Sequence, residues 1–138
     1  MIGKIVDNVA IVKHIYEELL TKGSTQAFLD AFAEDGVMQT TAPEDTPMGG
    51  EFRGKEGVAR YLALSSELAE IQALEIRDII AHGDKVILLG YEKARITANG
   101  KMFASDWAAV FDMVDGKIAR LLVIEDCSEL TIACRGLG

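Results

Sequence analysis

Beyond residue 70 the chain is punctuated by three turn signals, His82-Gly83-Asp84, Asn99-Gly100 and Asp115-Gly116. Asn-Gly and Asp-Gly supply the positive φ that a tight hairpin turn requires. They divide the second half into four segments of β character, IQALEIRDIIA, KVILLGYEKARITA, KMFASDWAAVFDMV and KIARLLVIED. Strands of that length exceed the usual run of about five or six residues, so the sheet they build must twist and bend.

The first half follows the helical period instead. Ile5, Val9, Val12, Tyr16, Leu19 and Leu20 recur at helical spacing, and Gly23 ends that helix. Ser24 or Thr25 can cap a second helix through QAFLDAFAED, with Phe28, Leu29 and Phe32 as its buried stripe. A third helix fits KEGVARYLALSSELA, with Val58, Tyr61, Leu62 and Leu68 inward, and GVMQTT between the second and third reads as a short strand. Helices followed by an antiparallel meander predict an α+β domain, one domain over residues 1–138. The expected shape is a cone: a curved antiparallel sheet wrapped around three N-terminal helices, with a pocket at the open end.

Both prolines of the chain, Pro43 and Pro47, fall in one stretch with Gly49, Gly50 and Gly54. Proline fixes φ and glycine frees it, so this stretch predicts a shaped loop rather than a helix or regular strand. Such loops often carry functional groups on a rigid scaffold.

At 138 residues and 49% hydrophobic, the chain can bury a substantial core. Its 22 acidic residues against 14 basic ones give a formal charge of −8, which argues against nucleic acid and anionic membrane surfaces as partners. No apolar run is long enough for a membrane helix and the start lacks the features of a signal peptide, so the cytoplasm is the expected location. Two cysteines, Cys127 and Cys134, do not make a disulfide framework, and two histidines do not make a zinc-ligand set; no metal or other cofactor is expected.

The order of elements, together with FAEDGVMQT, EFRGKEGVARYL and WAAVFDMVDGKIARLLVIEDCSEL, resembles the SnoaL-like and ketosteroid-isomerase-like families of the nuclear-transport-factor-2-like superfamily. The resemblance spans nearly the whole chain. It implies the cone fold and a small apolar ligand, and it leaves the activity open, because this fold hosts isomerases, cyclases, dehydratases and plain binding domains.

Residue by residue, the resemblance carries over only in part. Tyr16 stands where such isomerases place a tyrosine that stabilises the enolate, a neutral phenol being suited to an oxyanion in an apolar site. A core aromatic is the other reading of Tyr16. The isomerase base, an aspartate before a proline, is replaced by Thr46, and the second oxyanion donor falls near Ala108 or Ala109. Against the limonene-epoxide-hydrolase-like pattern, Gly90, Glu92 and Val123 stand where an arginine and two acids are needed, so only Glu92 keeps its acid. Glu92 is either a buried acid or base, or an exposed glutamate paired with Lys93 or Arg95.

The catalytic candidates are therefore Tyr16 and Glu92, and the ligand-binding candidates are Phe32, Met38, Thr46, Phe52, Trp107, Val123 and Glu125. Trp107 shares its parity with Ala109, Phe111 and Met113, which fits both a pocket wall and ordinary packing. Glu125 can rim the pocket or simply end a solvated strand. Asp126, with Glu129 three residues on, resembles a helix start. Two functions are in competition: an isomerase- or lyase-type enzyme, and a non-catalytic binding or dimerisation domain whose pocket is filled by its own side chains. A homodimer is expected through the outer face of the sheet, where Ala108 and Val110 point.

Overall fold

The computed structural model describes residues 7–136. The first helix, α1 (Asn8–Lys22), opens with the Asp7 carboxylate accepting the Ala10 N–H at 3.0 Å. It closes at Gly23, whose φ of 63° lets its N–H turn back to the Leu19 carbonyl. Ile5, placed in this helix from its spacing, lies outside the described residues. The short α2 (Gln26–Ala31) leads straight into β1 (Phe32–Thr40). Phe32 to Asp35 therefore extend the strand rather than the helix expected for them, because Phe32 pairs with Ile118 across the sheet.

The proline segment ends in an unforeseen strand, β2 (Gly50–Arg53), which runs into α3 (Gly54–Leu68). The four long segments form β3 (Ala69–His82), β4 (Lys85–Ile96), β5 (Met102–Val114) and β6 (Lys117–Glu125), and α4 (Ser128–Cys134) follows. At the β5–β6 hairpin, Asp115 and Gly116 take φ of 51° and 76°, the paired positive values of a type I′ turn.

All six strands lie in one curved sheet of order β2-β1-β6-β5-β4-β3. The sheet is mixed rather than wholly antiparallel, since β1 pairs with β6 in parallel while the other neighbours run antiparallel. That pairing joins strands far apart in sequence, which local turn signals cannot reveal. The α+β class stands as read from the sequence.

One face of the sheet closes on the helices. Val12 and Ile15 of α1 and Val58 of α3 meet Leu88, Phe111 and Leu121 of the sheet, all 0–1% exposed. The other face has an apolar centre that nothing among the described residues covers, with Leu89 and Ile124 exposed by 38% and 45%. No helix among the described residues is long and apolar enough to cross a membrane.

Candidate functional site

Between the helices and the concave face of β4, β5 and β6 lies a cavity of about 280 Å³. Strand parity decides which side chains reach it. On β4, Val86, Leu88, Gly90, Glu92, Ala94 and Ile96 alternate inward, while Lys93 and Arg95 point to solvent. On β6 the inward set is Leu121, Val123 and Glu125. Trp107 of β5 lies between the two strands, paired with Gly90 on one side and Glu125 on the other, and Glu92 pairs with the next inward residue, Ser105.

Glu92 and Glu125 thus project into one space from strands that flank β5, close enough for each to influence the other's ionisation. Burial in the apolar wall raises both above the ordinary carboxylate range. Glu125 reaches about 8, burial being reinforced by the negative charges of Glu92 and Asp126. Two buried carboxyls in contact cannot both ionise cheaply, so the pair keeps a proton near neutral pH.

Two tyrosines approach this pair from the helices. Tyr16 of α1 stacks on Trp107, with ring centroids 6.0 Å apart and planes 13° from parallel. Its hydroxyl makes no hydrogen bond among the described residues, and burial first, then the charge of Glu92, holds the phenol in its protonated form. Tyr61 of α3 is likewise held protonated by burial and then by Glu125. Cys127 lies beside the same pair, and its thiol is pushed up to about 11 by burial and by Glu125, Asp126 and Glu92. A thiol in that state is a weak nucleophile at neutral pH.

A close approach of backbone and ring shapes the floor of the cavity. A Cβ added to Gly90 would sit 2.4 and 2.5 Å from Cζ2 and Cε2 of Trp107, so the indole lies directly over this glycine. The Trp107 Nε1–H is buried and has no partner among the described residues.

The candidates named from sequence separate into two groups. Tyr16, Met38, Glu92, Trp107, Val123 and Glu125 line the cavity. Phe32, Thr46 and Phe52 do not, and each has a local reason. Phe32 packs on Phe28 with centroids 5.4 Å apart, deep in the core. Phe52 packs edge-on against Tyr61 at 5.2 Å. The Thr46 hydroxyl donates to the Pro43 carbonyl at 2.7 Å and so closes its own loop. The reading of Glu92 as an exposed partner of Lys93 or Arg95 fails because those two lie on the opposite face. Tyr61 was placed inward from its helix stripe but not assigned to the site.

The proline loop builds a wall rather than supplying a base. Gly49 lies so close to Pro43 that an added Cβ would come within 1.9 Å of the Pro43 carbonyl oxygen, which fixes glycine there. Ala42 and Met48 of this loop line the cavity. Asp45 faces outward and grips the Arg135 guanidinium at 2.8 and 3.1 Å, tying the loop to the end of α4; that contact holds its carboxyl below the usual range. Asp126 accepts the Ser128 N–H at 3.0 Å where α4 begins, in keeping with a helix-start role.

The SnoaL-like domain family matches residues 12–121, most of the chain and every strand of the cavity wall except the last few residues of β6. The chain belongs to the SnoaL-like domain family. A search of curated proteins returns no match. Among solved structures, this SnoaL-like chain is similar to a nuclear-transport-factor-2-like protein from Burkholderia xenovorans, with 27% identity, a TM-score of 0.78, and 92% of this chain and 95% of that one covered. It is also similar to TerC co-crystallised with polyporic acid, at 21% identity, a TM-score of 0.74 and coverage of 93% and 98%. A protein of Mesorhizobium loti assigned as a SnoaL-like polyketide cyclase shares 20% identity, with a TM-score of 0.71 and coverage of 86% and 98%. At these two lower identities the likeness extends to the fold.

Proposed function

We propose that this SnoaL-like protein binds a small, mostly apolar molecule in the cavity and moves a proton on it, as an isomerase-, cyclase- or dehydratase-type catalyst without metal or organic cofactor. The observation that carries this reading is the convergence of Glu92, Glu125 and the Tyr16 phenol on one cavity wall, with both carboxyls raised by burial. A pair that holds one proton contains a base and an acid together. Its ionised member can take a proton from a carbon next to a polarised group. Tyr16, or the protonated member, can donate a hydrogen bond to the oxygen where charge develops, and the captured proton can return to another atom of the same molecule. The co-crystal of TerC with polyporic acid supports a cone of this kind as a site for a small organic molecule. The competing reading, a pocket filled by its own side chains, has the open volume of about 280 Å³ against it.

Solvent exchange tests this reading without knowledge of the substrate. A panel of apolar cyclic ketones, with and without an amine substituent, would be incubated with the protein in deuterium oxide and followed by mass spectrometry. Deuterium entering next to the carbonyl in the presence of wild-type protein, and not of a Glu92→Gln, Glu125→Gln double variant, is the expected result. Binding without exchange by the wild type would make the protein a binding domain.

The reading includes a cytoplasmic location, supported by the acidic composition and by Cys127 and Cys134, which are free thiols. It also includes a homodimer through the convex face of the sheet, where Leu89 and Ile124 are exposed beside the half-buried Ala108 and Val110. Light scattering at micromolar concentration is expected to give twice the mass of the chain, and Leu89→Lys to return it to the monomer. A monomer mass for the unaltered protein would remove the dimer.

A further inference from the structure

Glu92 and Glu125 put acidic groups in the wall of the cavity and nothing in that wall balances their charge. None of the lining residues is Lys, Arg or His. Neither Glu92 nor Glu125 takes part in an ion pair among the described residues. The rings of Tyr16, Tyr61, Phe103 and Trp107 line the same cavity. Independently of the acids, Trp107 is only 7% exposed and lines the same cavity with its Nε1–H buried and unpartnered among the described residues. A buried N–H left without a protein partner is costly unless a ligand supplies one.

We propose that the ligand of this cavity carries a protonated amine, seated between the Glu92 and Glu125 carboxyls and the rings of Tyr16, Tyr61 and Trp107. This rests on the reading of the cavity as a ligand site and names the class of molecule it selects. An ammonium donates charge-assisted hydrogen bonds to the carboxylates and to the lone pairs of the Tyr16 hydroxyl, and aromatic faces attract it further. A carboxylate ligand meets like charge with no cation to receive it. A neutral ligand leaves the shared proton in place and brings no charge of its own to the carboxylates.

The exchange of charges is balanced. The free pair keeps a proton because it has no counter-cation. An arriving ammonium replaces that proton as the compensating charge, and the proton leaves to solvent. The other titratable groups that face the pair are Tyr16 from α1, Tyr61 from α3 and Cys127 after β6, all held protonated, with Asp126 outside at the strand end. The pair is therefore the group that releases the proton. Amine binding strengthens as pH rises, until the amine itself loses its charge.

Three probes of one shape separate the possibilities: 2-naphthylmethylamine, 2-naphthylmethanol and 2-naphthoate, titrated calorimetrically at pH 7 in two buffers of different ionisation enthalpy. The amine is expected to bind at least about tenfold more tightly than the alcohol, the value of one hydrogen bond to a charged group, and the carboxylate most weakly. The buffer dependence is expected to report release of a proton with the amine and none with the alcohol. The Glu92→Gln, Glu125→Gln variant, its fold checked by circular dichroism, is expected to bind amine and alcohol alike. Alcohol or carboxylate binding as tightly as the amine, or amine binding without proton release, would overturn the proposal and leave the cavity a ligand site. Failure of all three probes to bind would overturn both.

Discussion

Replacing Glu125 by Gln is expected to remove most turnover on the true substrate while making the protein more resistant to heat above pH 8. The two effects have one origin. Glu125 ionises at about 8 in the folded protein because it is buried beside Glu92, against 4.5 for an ordinary glutamate. Between those values the folded state holds a proton that the unfolded state has released. Its stabilising contribution is complete below about pH 4.5 and is lost progressively as pH rises through 8. An amide cannot ionise, so Glu125→Gln escapes that loss at alkaline pH. The variant also loses the second half of an acid–base pair, and such groups contribute roughly 100- to 10,000-fold to rate. Thermal melts at pH 6 and pH 9 check the stability claim and turnover assays of the variant the claim about rate. A variant that melts below the unaltered protein at pH 9, or that retains the full rate, would show that Glu125 is not held in this state.

How much of this was legible in the sequence depended on how local each signal was. The apolar spacing of α1, the Gly23 stop, the hairpin turns and the inward parity of Trp107 and Val123 are written in residues within a turn or a strand of each other. Glu92 was harder. Its strand has apolar residues on both faces from Val86 to Leu89, so alternation alone does not say which face is buried. The outward pair Lys93 and Arg95 was the usable clue, since it sends Glu92 inward. The meeting of Glu92 with Glu125 was not legible at all. It depends on the registers of β4 on β5 and of β5 on β6, which tertiary packing fixes. Phe32 was misplaced for a related reason: FAED suits a helix end as well as a strand start, and the pairing with β6 decides. The loss of the isomerase base at Thr46 was visible, whereas the supply of two carboxyls from the sheet was visible only in three dimensions.

Gly90→Ala is expected to destabilise the fold and to disturb the site with a single methyl group. Gly90 is not among the glycines with positive φ, so its backbone would accept alanine without strain and the effect is one of space. That space is missing on both sides. The new Cβ would lie 2.3 Å from the Glu75 carbonyl oxygen on β3 and 2.4 Å from the Trp107 ring on β5. The carbonyl belongs to the β3–β4 ladder and cannot retreat without opening it, so the indole must tilt away from Gly90 towards the cavity. Overfilling a packed site in this way costs about 1–3 kcal/mol, or roughly 4 °C in melting temperature for each kcal/mol in a domain of this size. Trp107 is the only tryptophan, so its emission reports this site alone. A change in its emission maximum and weaker ligand binding are expected together with the lower melting temperature. Gly83→Ala is the control: it has a φ of 58° and nothing within 4 Å of its added Cβ, so it strains the backbone and leaves the ring untouched. It should lower stability by about 1 kcal/mol with no change in emission. If Gly90→Ala behaved like Gly83→Ala, the indole would not rest on Gly90, and the floor of the cavity would have to be drawn differently.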